Sequence, residues 1–267
     1  MGADQATARS SALQRVCAFR FPETQRVGRG DVQVTAQIAL VERQRSLCNG
    51  ISPWLGPVAM LVTQDLVLPS YFGPLQVRGQ DNLPQGGPVL LAPTHRARWD
   101  ALMLPFGAGR RVTGRDCRFM VSSDEMTGLQ GWCLHRLGCF PVDTRRAGPA
   151  SLRYALDLLH QGEQLVMFPE GRIQQTDEPI SLRPGLSRLV QLAASQGVSV
   201  PVIPVGIAYG HSRPRWRDRA AICFGEAQHL CKPDRESAQA FNQSAAHAMR
   251  AAEEVARTLV GRPLPGP

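Results

Sequence analysis

From residue 75 onward, short apolar runs alternate with stretches of helical periodicity, and this alternation limits the folds open to the chain. Strands are predicted at LQVRG, VLLAP, RFMVS, CFPVD, QLVMF, VPVIPVGIAY and AAICFG. Helices are predicted at ASLRYALDLLHQG, at PGLSRLVQLAASQG and in the last stretch from Phe241 to Leu259. Strands that alternate with helices predict an α/β sheet covered by helices. The two prolines of VPVIPV predict a strand at the edge or the end of that sheet.

The N-terminal part of the chain has a different character. Residues 1–33 are polar and arginine-rich, which predicts a flexible tail, and residues 34–74 are predicted to be helical. The most apolar stretch, residues 51–75, is interrupted by Pro53, Pro57 and Pro69 and is too short to span a bilayer. It is predicted either to pack on the core or to lie in a membrane interface. Residues 75–267 are predicted to form the remaining domain.

The charge of the chain favours an anionic partner. The 267 residues carry a formal net charge of +8, and nearly all of the positive charge is arginine. Phosphate, nucleic acid and an anionic membrane surface are the partners that such a charge attracts. No basic stripe rich in aromatic residues is present, so binding to single-stranded nucleic acid is not predicted.

The cysteines predict neither a disulfide framework nor a metal site. The chain has seven scattered cysteines, an odd number that favours free thiols in a reducing compartment. Cys133, His135 and Cys139 lie close in sequence but match no zinc-ligand spacing, and Cys139 is predicted to be a small core residue on a strand. The N-terminus has no hydrophobic segment typical of a secretory signal, which predicts a cytoplasmic protein.

The strand VLLAP leads directly into a candidate catalytic pair. Thr94 and His95 follow the strand, and Asp100 comes five residues after the histidine, where a helical stretch begins. An aspartate that accepts from one imidazole nitrogen fixes the tautomer, and the other nitrogen is then free to take a proton. A histidine and an aspartate at this spacing are weak evidence alone, because surface pairs of this kind are common.

Polar groups also follow other predicted strands. LGCFPVDTRR ends in two arginines, and QLVMFPEGRI breaks at Pro169 and places Glu170, Gly171 and Arg172 in a loop. Ligands of open α/β sheets bind at the carboxyl ends of the strands. His95, Asp100 and these charged side chains are therefore expected to meet in one crevice. Arg96 and Arg98, in contrast, are predicted to belong to a solvated or membrane-facing surface.

Four segments, HRARWD, GCFPVDTRR, FPEGR and VPVIPV, resemble in order and spacing the motif blocks of the PlsC-type glycerolipid acyltransferases. This family comprises 1-acyl-glycerol-3-phosphate and lysophospholipid acyltransferases, and the resemblance runs from about Leu75 to Val205. Two positions depart from the pattern: Thr94 stands where asparagine is usual, and the arginine of FPEGRI is one position early.

The resemblance implies a fold, an activity and a set of site residues. The fold would be glycerol-3-phosphate acyltransferase-like, a mixed, largely parallel sheet flanked by helices. The activity would be transfer of a fatty acyl group from acyl-CoA or acyl-carrier protein to 1-acyl-glycerol-3-phosphate, at the cytoplasmic membrane face and without cofactor or metal. The site residues would be His95 as general base, Asp100 as its partner, Arg145 and Arg172 as phosphate ligands, and Glu170 and Gly171 as residues that shape the phosphate pocket.

Two other functions remain open at this stage. The same fold and pair could act on another lysophospholipid or on glycerol 3-phosphate. A basic, non-enzymatic module that binds membrane or nucleic acid would carry the same net charge but would not need His95.

Overall fold

The computed structural model describes residues 51–143, 149–175 and 178–262. The predicted tail at residues 1–33, the following residues up to Gly50, and Arg145 lie outside these ranges. Within them, seven strands form one sheet. The strands are β1 (Leu75–Arg78), β2 (Val89–Pro93), β3 (Cys117–Ser122), β4 (Phe140–Val142), β5 (Gln164–Val166), β6 (Val202–Tyr209) and β7 (Ala220–Phe224).

The sheet is mixed and mostly parallel, as predicted. Its strand order is β1-β7-β6-β2-β5-β3-β4, and every neighbouring pair is parallel except β6 and β7. The five strands from β6 to β4 therefore point in one direction, and their carboxyl ends share one edge of the sheet, called here the catalytic edge. The chain segments that contain His95 and Glu170 leave the sheet at this edge.

Helices lie along both faces of the sheet. The described helices are α1 (Leu55–Met60), α2 (Leu68–Tyr71), α3 (Asp100–Ala108), α4 (Arg110–Thr113), α5 (Gly128–Arg136), α6 (Pro149–His160), α7 (Gly185–Ser195) and α8 (Arg235–Val260). A π-helical segment, Leu61–Val67, joins α1 to α2. Short 3₁₀ turns occur at Gln80–Asn82 and Ser123–Glu125.

Strand β2 shows how the two faces are filled. All five of its residues are buried, so apolar side chains alternate between the two layers. Leu90 and Ala92 pack with the leucines of α6 and α7, whereas Val89 and Leu91 pack with Met103 and other side chains of the opposite layer. A continuous apolar run is the pattern expected of a strand that is covered on both sides.

The predicted edge position of the proline-containing strand is wrong. β6 lies inside the sheet, between β7 and β2. The β7 ladder ends at the Val205–Phe224 pair, and beyond it the Pro204 carbonyl accepts a hydrogen bond from Gly225 N–H at 2.8 Å. Pro204, which cannot donate, thus occupies the place where the regular ladder has already ended, and an inner strand tolerates it.

The apolar N-terminal stretch forms a helical arm, defined here as residues 54–72. Leu68 and Phe72 at its end are buried, but Trp54 is 84% exposed and Leu61 is 53% exposed. Of the two predicted alternatives, packing on the core therefore describes only the end of the stretch, and a position of its first half in a membrane interface stays a prediction. Among the described residues, no helix is long and apolar enough to cross a membrane.

Candidate active site

The turn after β2 brings His95 and Asp100 together at the catalytic edge. Nδ1 of His95 lies 2.9 Å from Oδ2 of Asp100. The same carboxylate oxygen accepts hydrogen bonds from the backbone N–H groups of Arg96 and Ala97, at 2.6 and 2.9 Å. Asp100 begins α3 and is fully buried, so its position is fixed by the helix and by these bonds. These three donors to one carboxylate oxygen hold residues 95–100 in a tight turn, called here the catalytic turn after the candidate pair that it carries.

The other carboxylate oxygen of Asp100 is held from β6. The hydroxyl of Tyr209 donates to Oδ1 at 2.6 Å. Burial, and then the neighbouring charge of Asp100, raise the pKa of Tyr209 well above its ordinary value, so the hydroxyl keeps its proton. Tyr209 was not predicted as a site residue, although its place at the carboxyl end of a strand is a signal that sequence reading could have used.

This network assigns the proton of His95 to Nδ1. Because Asp100 can only accept, Nδ1 carries the proton, and Nε2 is left with a free lone pair. Among the described residues, Nε2 has no hydrogen-bond partner. The ring stacks on Phe168, with centroids 4.1 Å apart, and its side chain is 20% exposed. A histidine held in this way, with one nitrogen free and accessible, can take a proton from a bound group.

Thr94 secures the end of β2 beside the catalytic turn. Its N–H donates to the Val205 carbonyl at 2.8 Å, and its hydroxyl accepts from Ile207 N–H at 3.0 Å. The position at which the family usually has asparagine therefore carries a buried hydrogen-bonding group here too. Its contacts are to β6 and they fix the point from which His95 projects.

Glu170 lies behind the catalytic turn, and it does not line the cavity beside His95 that is described below. Its Oε1 accepts a hydrogen bond from His95 N–H at 2.9 Å, and both carboxylate oxygens accept from Arg96 Nη1, at 3.2 and 3.1 Å. Its side chain is 1% exposed. The predicted place of Glu170 among the substrate-binding groups differs from this position, because its carboxylate is already occupied by the catalytic turn.

The prediction of a surface position for Arg96 is also wrong. Arg96 is 4% exposed, and its guanidinium lies between Glu170 and Glu253, with Nε 2.7 Å from Oε1 of Glu253. Burial opposes its charge, but the hydrogen bonds and charges of the two glutamates outweigh burial and raise the pKa of Arg96. Arg98 is exposed, as predicted, and pairs with Glu125.

Gly171 gives the loop after β5 its shape. Its φ is +69°, and a Cβ there would overlap the side chain of Arg183. Only glycine adopts this conformation readily and admits the arginine so closely. Gly171 and Arg172 both line the cavity described next, and the Arg172 side chain is exposed at its mouth.

A cavity of about 870 Å³ opens beside His95. Its mouth is basic: Arg172, Arg183 and Arg188 line it, together with the N-terminus of α7. No side chain caps that helix end, so its first N–H groups remain available to an anion. Arg183 and Arg188 were not predicted individually, although both lie in the basic segment LRPGLSRL.

The interior of the cavity is apolar and reaches across the sheet. It is lined by residues of β3, among them Cys117, Phe119 and Val121, and by Leu102 of α3. Cys117 pairs in register with Gln164, which in turn pairs with Val89, at the far end of β2 from His95. The four residue steps from Val89 to Pro93 of β2 span about 13 Å, so the cavity extends about that far from the catalytic edge. Its volume lies in the usual range for small-molecule sites.

Among the residues that the structure describes, no cluster of three His, Cys, Asp or Glu side chains is placed to hold a metal. Cys139 is buried, as predicted, but it lies directly before β4 and not on a strand.

The chain has relatives among known proteins. A family model described as Acyltransferase matches residues 74–208. A 1-acyl-sn-glycerol-3-phosphate acyltransferase of Bacillus subtilis (strain 168) is 27% identical over 139 residues, which are 52% of this chain and 64% of that protein. The match thus spans somewhat less than two thirds of the relative's length.

The fold has a counterpart among solved structures. The crystal structure of the 1-acyl-sn-glycerophosphate (LPA) acyltransferase, PlsC, from Thermotoga maritima superposes with a TM-score of 0.52 and 18% identity. The superposition covers 86% of this chain and 84% of that one. The resemblance inferred from the four motifs is confirmed: the family model spans half of the chain and all four motif blocks, and the chain belongs to the acyltransferase family.

Proposed function

We propose that the protein transfers a fatty acyl group from a thioester donor to the free hydroxyl of 1-acyl-glycerol-3-phosphate. The observation that carries this proposal is the His95–Asp100 pair at the edge of a cavity with a basic mouth and an apolar interior. The names of the B. subtilis and T. maritima proteins agree with this acceptor.

The proposed mechanism is direct transfer. Nε2 of His95 removes the proton from the acceptor hydroxyl while the hydroxyl oxygen attacks the thioester carbonyl. The C–O bond forms, the C–S bond breaks, and the thiolate leaves and takes the proton back from His95. Asp100 stabilises the transient imidazolium, and general-base catalysis of this kind contributes on the order of 10²–10⁴ in rate. No metal and no cofactor take part in these steps.

The basic mouth is the proposed phosphate site. Arginine binds phosphate through two parallel hydrogen bonds, and an open helix N-terminus adds further donors. The proposed ligands of the phosphate are Arg172, Arg183 and the N-terminus of α7, which line this mouth, with Arg145 as a further proposed ligand. Gly171 shapes this pocket, whereas Glu170 acts on the catalytic turn. The apolar interior would then take an acyl chain.

The donor is acyl-CoA or acyl-carrier protein, and the product is a lipid with two chains. Such a product hardly leaves a bilayer for water, so the enzyme is proposed to work at the membrane surface on the cytoplasmic side. The exposed apolar side chains of the helical arm fit that location.

A thiol-release assay tests the proposal. Both donors are offered with a panel of lysophospholipids and with glycerol 3-phosphate, and 1-acyl-glycerol-3-phosphate should give the highest rate. His95→Ala should abolish transfer without loss of folding, and Asp100→Asn should lose most of it because the wrong tautomer is favoured. Near wild-type turnover in either variant would refute the pair, and release with a different acceptor would change the substrate but not the mechanism.

The phosphate site is tested separately by Arg172→Ala and Arg145→Ala. Each variant removes a charge-assisted contact worth about 1.5–3 kcal/mol, so the acceptor KM should rise more than the donor KM. Equal effects on the two substrates would remove these arginines from the phosphate site.

A further inference from the structure

The C-terminal helix reaches the catalytic turn through one buried side chain. Glu253 of α8 is 1% exposed, and its two carboxylate oxygens accept from Nε and Nη2 of Arg96, at 2.7 and 3.0 Å. Arg96 is the residue directly after His95. Glu253 lies outside residues 74–208, which the family model matches, so membership of the family does not assign it a role.

The contact continues from Arg96 to the backbone of the catalytic histidine. Nη1 of Arg96 donates to both oxygens of Glu170, and Oε1 of Glu170 accepts the N–H of His95 at 2.9 Å. Nη1 also lies 3.2 Å from the carbonyl oxygen of Gln174, whose own N–H donates to the His95 carbonyl at 2.7 Å. Both peptide groups of His95 are thus tied to side chains or segments that Arg96 holds.

The sheet is built to let Glu253 reach this place. A Cβ at Gly206 of β6 would overlap the backbone of Ala252 and Glu253, so the missing side chain allows α8 to approach the strand closely at this point. Other side chains at this interface are also small, because Ala252 and Ala256 of α8 pack with Ala208 and Ala221 of the sheet. Small residues on both elements bring the carboxylate within reach of the catalytic turn.

A contribution to stability does not by itself explain why charged side chains are buried between α8 and the catalytic turn. Two glutamates, Arg96 and the 2%-exposed Arg257 are all removed from water, and burying such ions costs more than an apolar core of equal volume in many proteins. An apolar side chain would attach α8 to β6 as well, but it could not fix the direction of a planar guanidinium. The two parallel hydrogen bonds from Nε and Nη2 to Glu253, with those from Nη1 to Glu170 on the other side, do fix it.

We propose that Glu253 is a positioning residue of the active site, which acts through Arg96 and Glu170 to hold His95 in line with Asp100. The inference rests on the proposed function, since it assumes that His95 is the base. Glu253→Gln should lower kcat by about 10- to 100-fold, the effect that a misplacement of about 1 Å or the loss of an outer partner produces. KM for donor and acceptor should stay unchanged, because Glu253 contacts neither.

Three further variants separate positioning from stability. Glu253→Gln also leaves Arg257 with less compensating charge, so a second variant is needed. Arg96→Lys keeps the positive charge but loses the two parallel hydrogen bonds to Glu253, and it should show the same loss of kcat. Met249→Ala removes a buried side chain of the same helix and should lower the thermal midpoint without lowering kcat. Glu254→Gln makes the same charge change at the exposed neighbouring position and should alter neither.

A spectroscopic signal tests the inference without turnover. In the full chain labelled at its six histidines, the proton between His95 and Asp100 should give a downfield resonance that His95→Ala removes. This resonance should broaden or disappear in Glu253→Gln and persist in Met249→Ala. An unchanged resonance together with a kcat no lower than that of Met249→Ala would overturn the proposal. A wild-type protein that shows the resonance but transfers no acyl group would instead refute the proposed function.

Discussion

Four hydrogen bonds converge on the two carboxylate oxygens of Asp100, and they come from two different parts of the fold. Those from His95, Arg96 and Ala97 meet Oδ2 within the turn, whereas Tyr209 alone reaches Oδ1 from another strand. Loss of Tyr209 therefore leaves the turn closed but allows the carboxylate to rotate. We therefore expect the position of the hydroxyl to be a second requirement for a well-placed His95.

Tyr209→Phe tests this requirement. The variant leaves a buried carboxylate oxygen without its donor, which should cost about 1.5–3 kcal/mol of unfolding free energy. kcat should fall by less than in Asp100→Asn, because the bond that fixes the His95 tautomer remains. Thermal melts and steady-state rates measure both effects. A variant as inactive as Asp100→Asn would show that Tyr209 itself takes part in the chemistry.

Two thiols beside the cavity are chemically protected by their surroundings. Burial raises the pKa of Cys117 and of Cys139 to about 12, well above the usual value for cysteine of about 8.5. The thiolate is the reactive form, so neither should be alkylated as the pH rises from 7 to 9. Cys231 is exposed and should react quickly. Iodoacetamide labelling followed by peptide mass spectrometry measures each site, and rapid labelling of Cys117 in the folded protein would contradict this.

Some of these residues could be read from the sequence and others could not. His95, Asp100 and Arg172 follow strands whose carboxyl ends meet, so their convergence is predictable from topology. Glu253 lies far along the chain, and its only sequence signal is a charged side chain on the apolar face of a helix. Arg96 was assigned to the surface because a single sequence does not show that two distant glutamates meet at one guanidinium.

The helical arm carries five of the ten exposed large apolar side chains found among the described residues. Trp54, Val58, Leu61 and Leu66 are each more than half exposed, whereas Gln64 on the same arm is buried. A helix in water normally shows the reverse pattern, with apolar side chains inward. Exposed apolar side chains on a helix are typical of attachment to a membrane interface, which we expect for this arm.

Trp54, Leu61 and Leu66 replaced together by serine should release the protein from lipid vesicles. Because these side chains are exposed, the thermal midpoint should change little, and activity on detergent-dispersed substrate should remain. Leu68→Ser, in the buried part of the same arm, is the control and should lower the midpoint strongly. Vesicle sedimentation with anionic and neutral lipids measures binding, which salt should weaken. Unchanged sedimentation of the triple variant would end the membrane assignment for the arm.

The strands and helices were largely predictable because their apolar periods are regular. β6 was the exception: its prolines indicated an edge, but the strand is paired on both sides. Pro204 has no N–H to donate, but it lies just beyond the point where the β7 ladder ends. That end point depends on the register between β6 and the antiparallel strand β7. Pairing between strands is a property of the whole sheet, which the local sequence does not contain.

At the scale of the whole molecule, the cavity joins the catalytic edge to the opposite edge of the sheet. Its basic mouth and His95 lie at one end, and Cys117, Gly109 and Asp116 line the other. An acyl chain whose carbonyl lies at His95 would extend along β3 towards Cys117. The depth of the cavity would then limit the length of chain that the enzyme accepts.

Cys117→Leu tests this limit, because the larger side chain fills part of the deep end of the cavity. Transfer of the longest acyl chains should fall, while short chains, which do not reach Cys117, should react at the wild-type rate. Val121→Ile adds a single methylene near His95 and is the matched control, which should affect short and long chains alike. Rates measured with a series of donors of increasing chain length, and again with a series of lysolipids, show which of the two chains occupies the cavity. If neither series shows a length-dependent change in Cys117→Leu, the apolar interior does not hold a substrate chain, and the acyl group must lie elsewhere on the molecule.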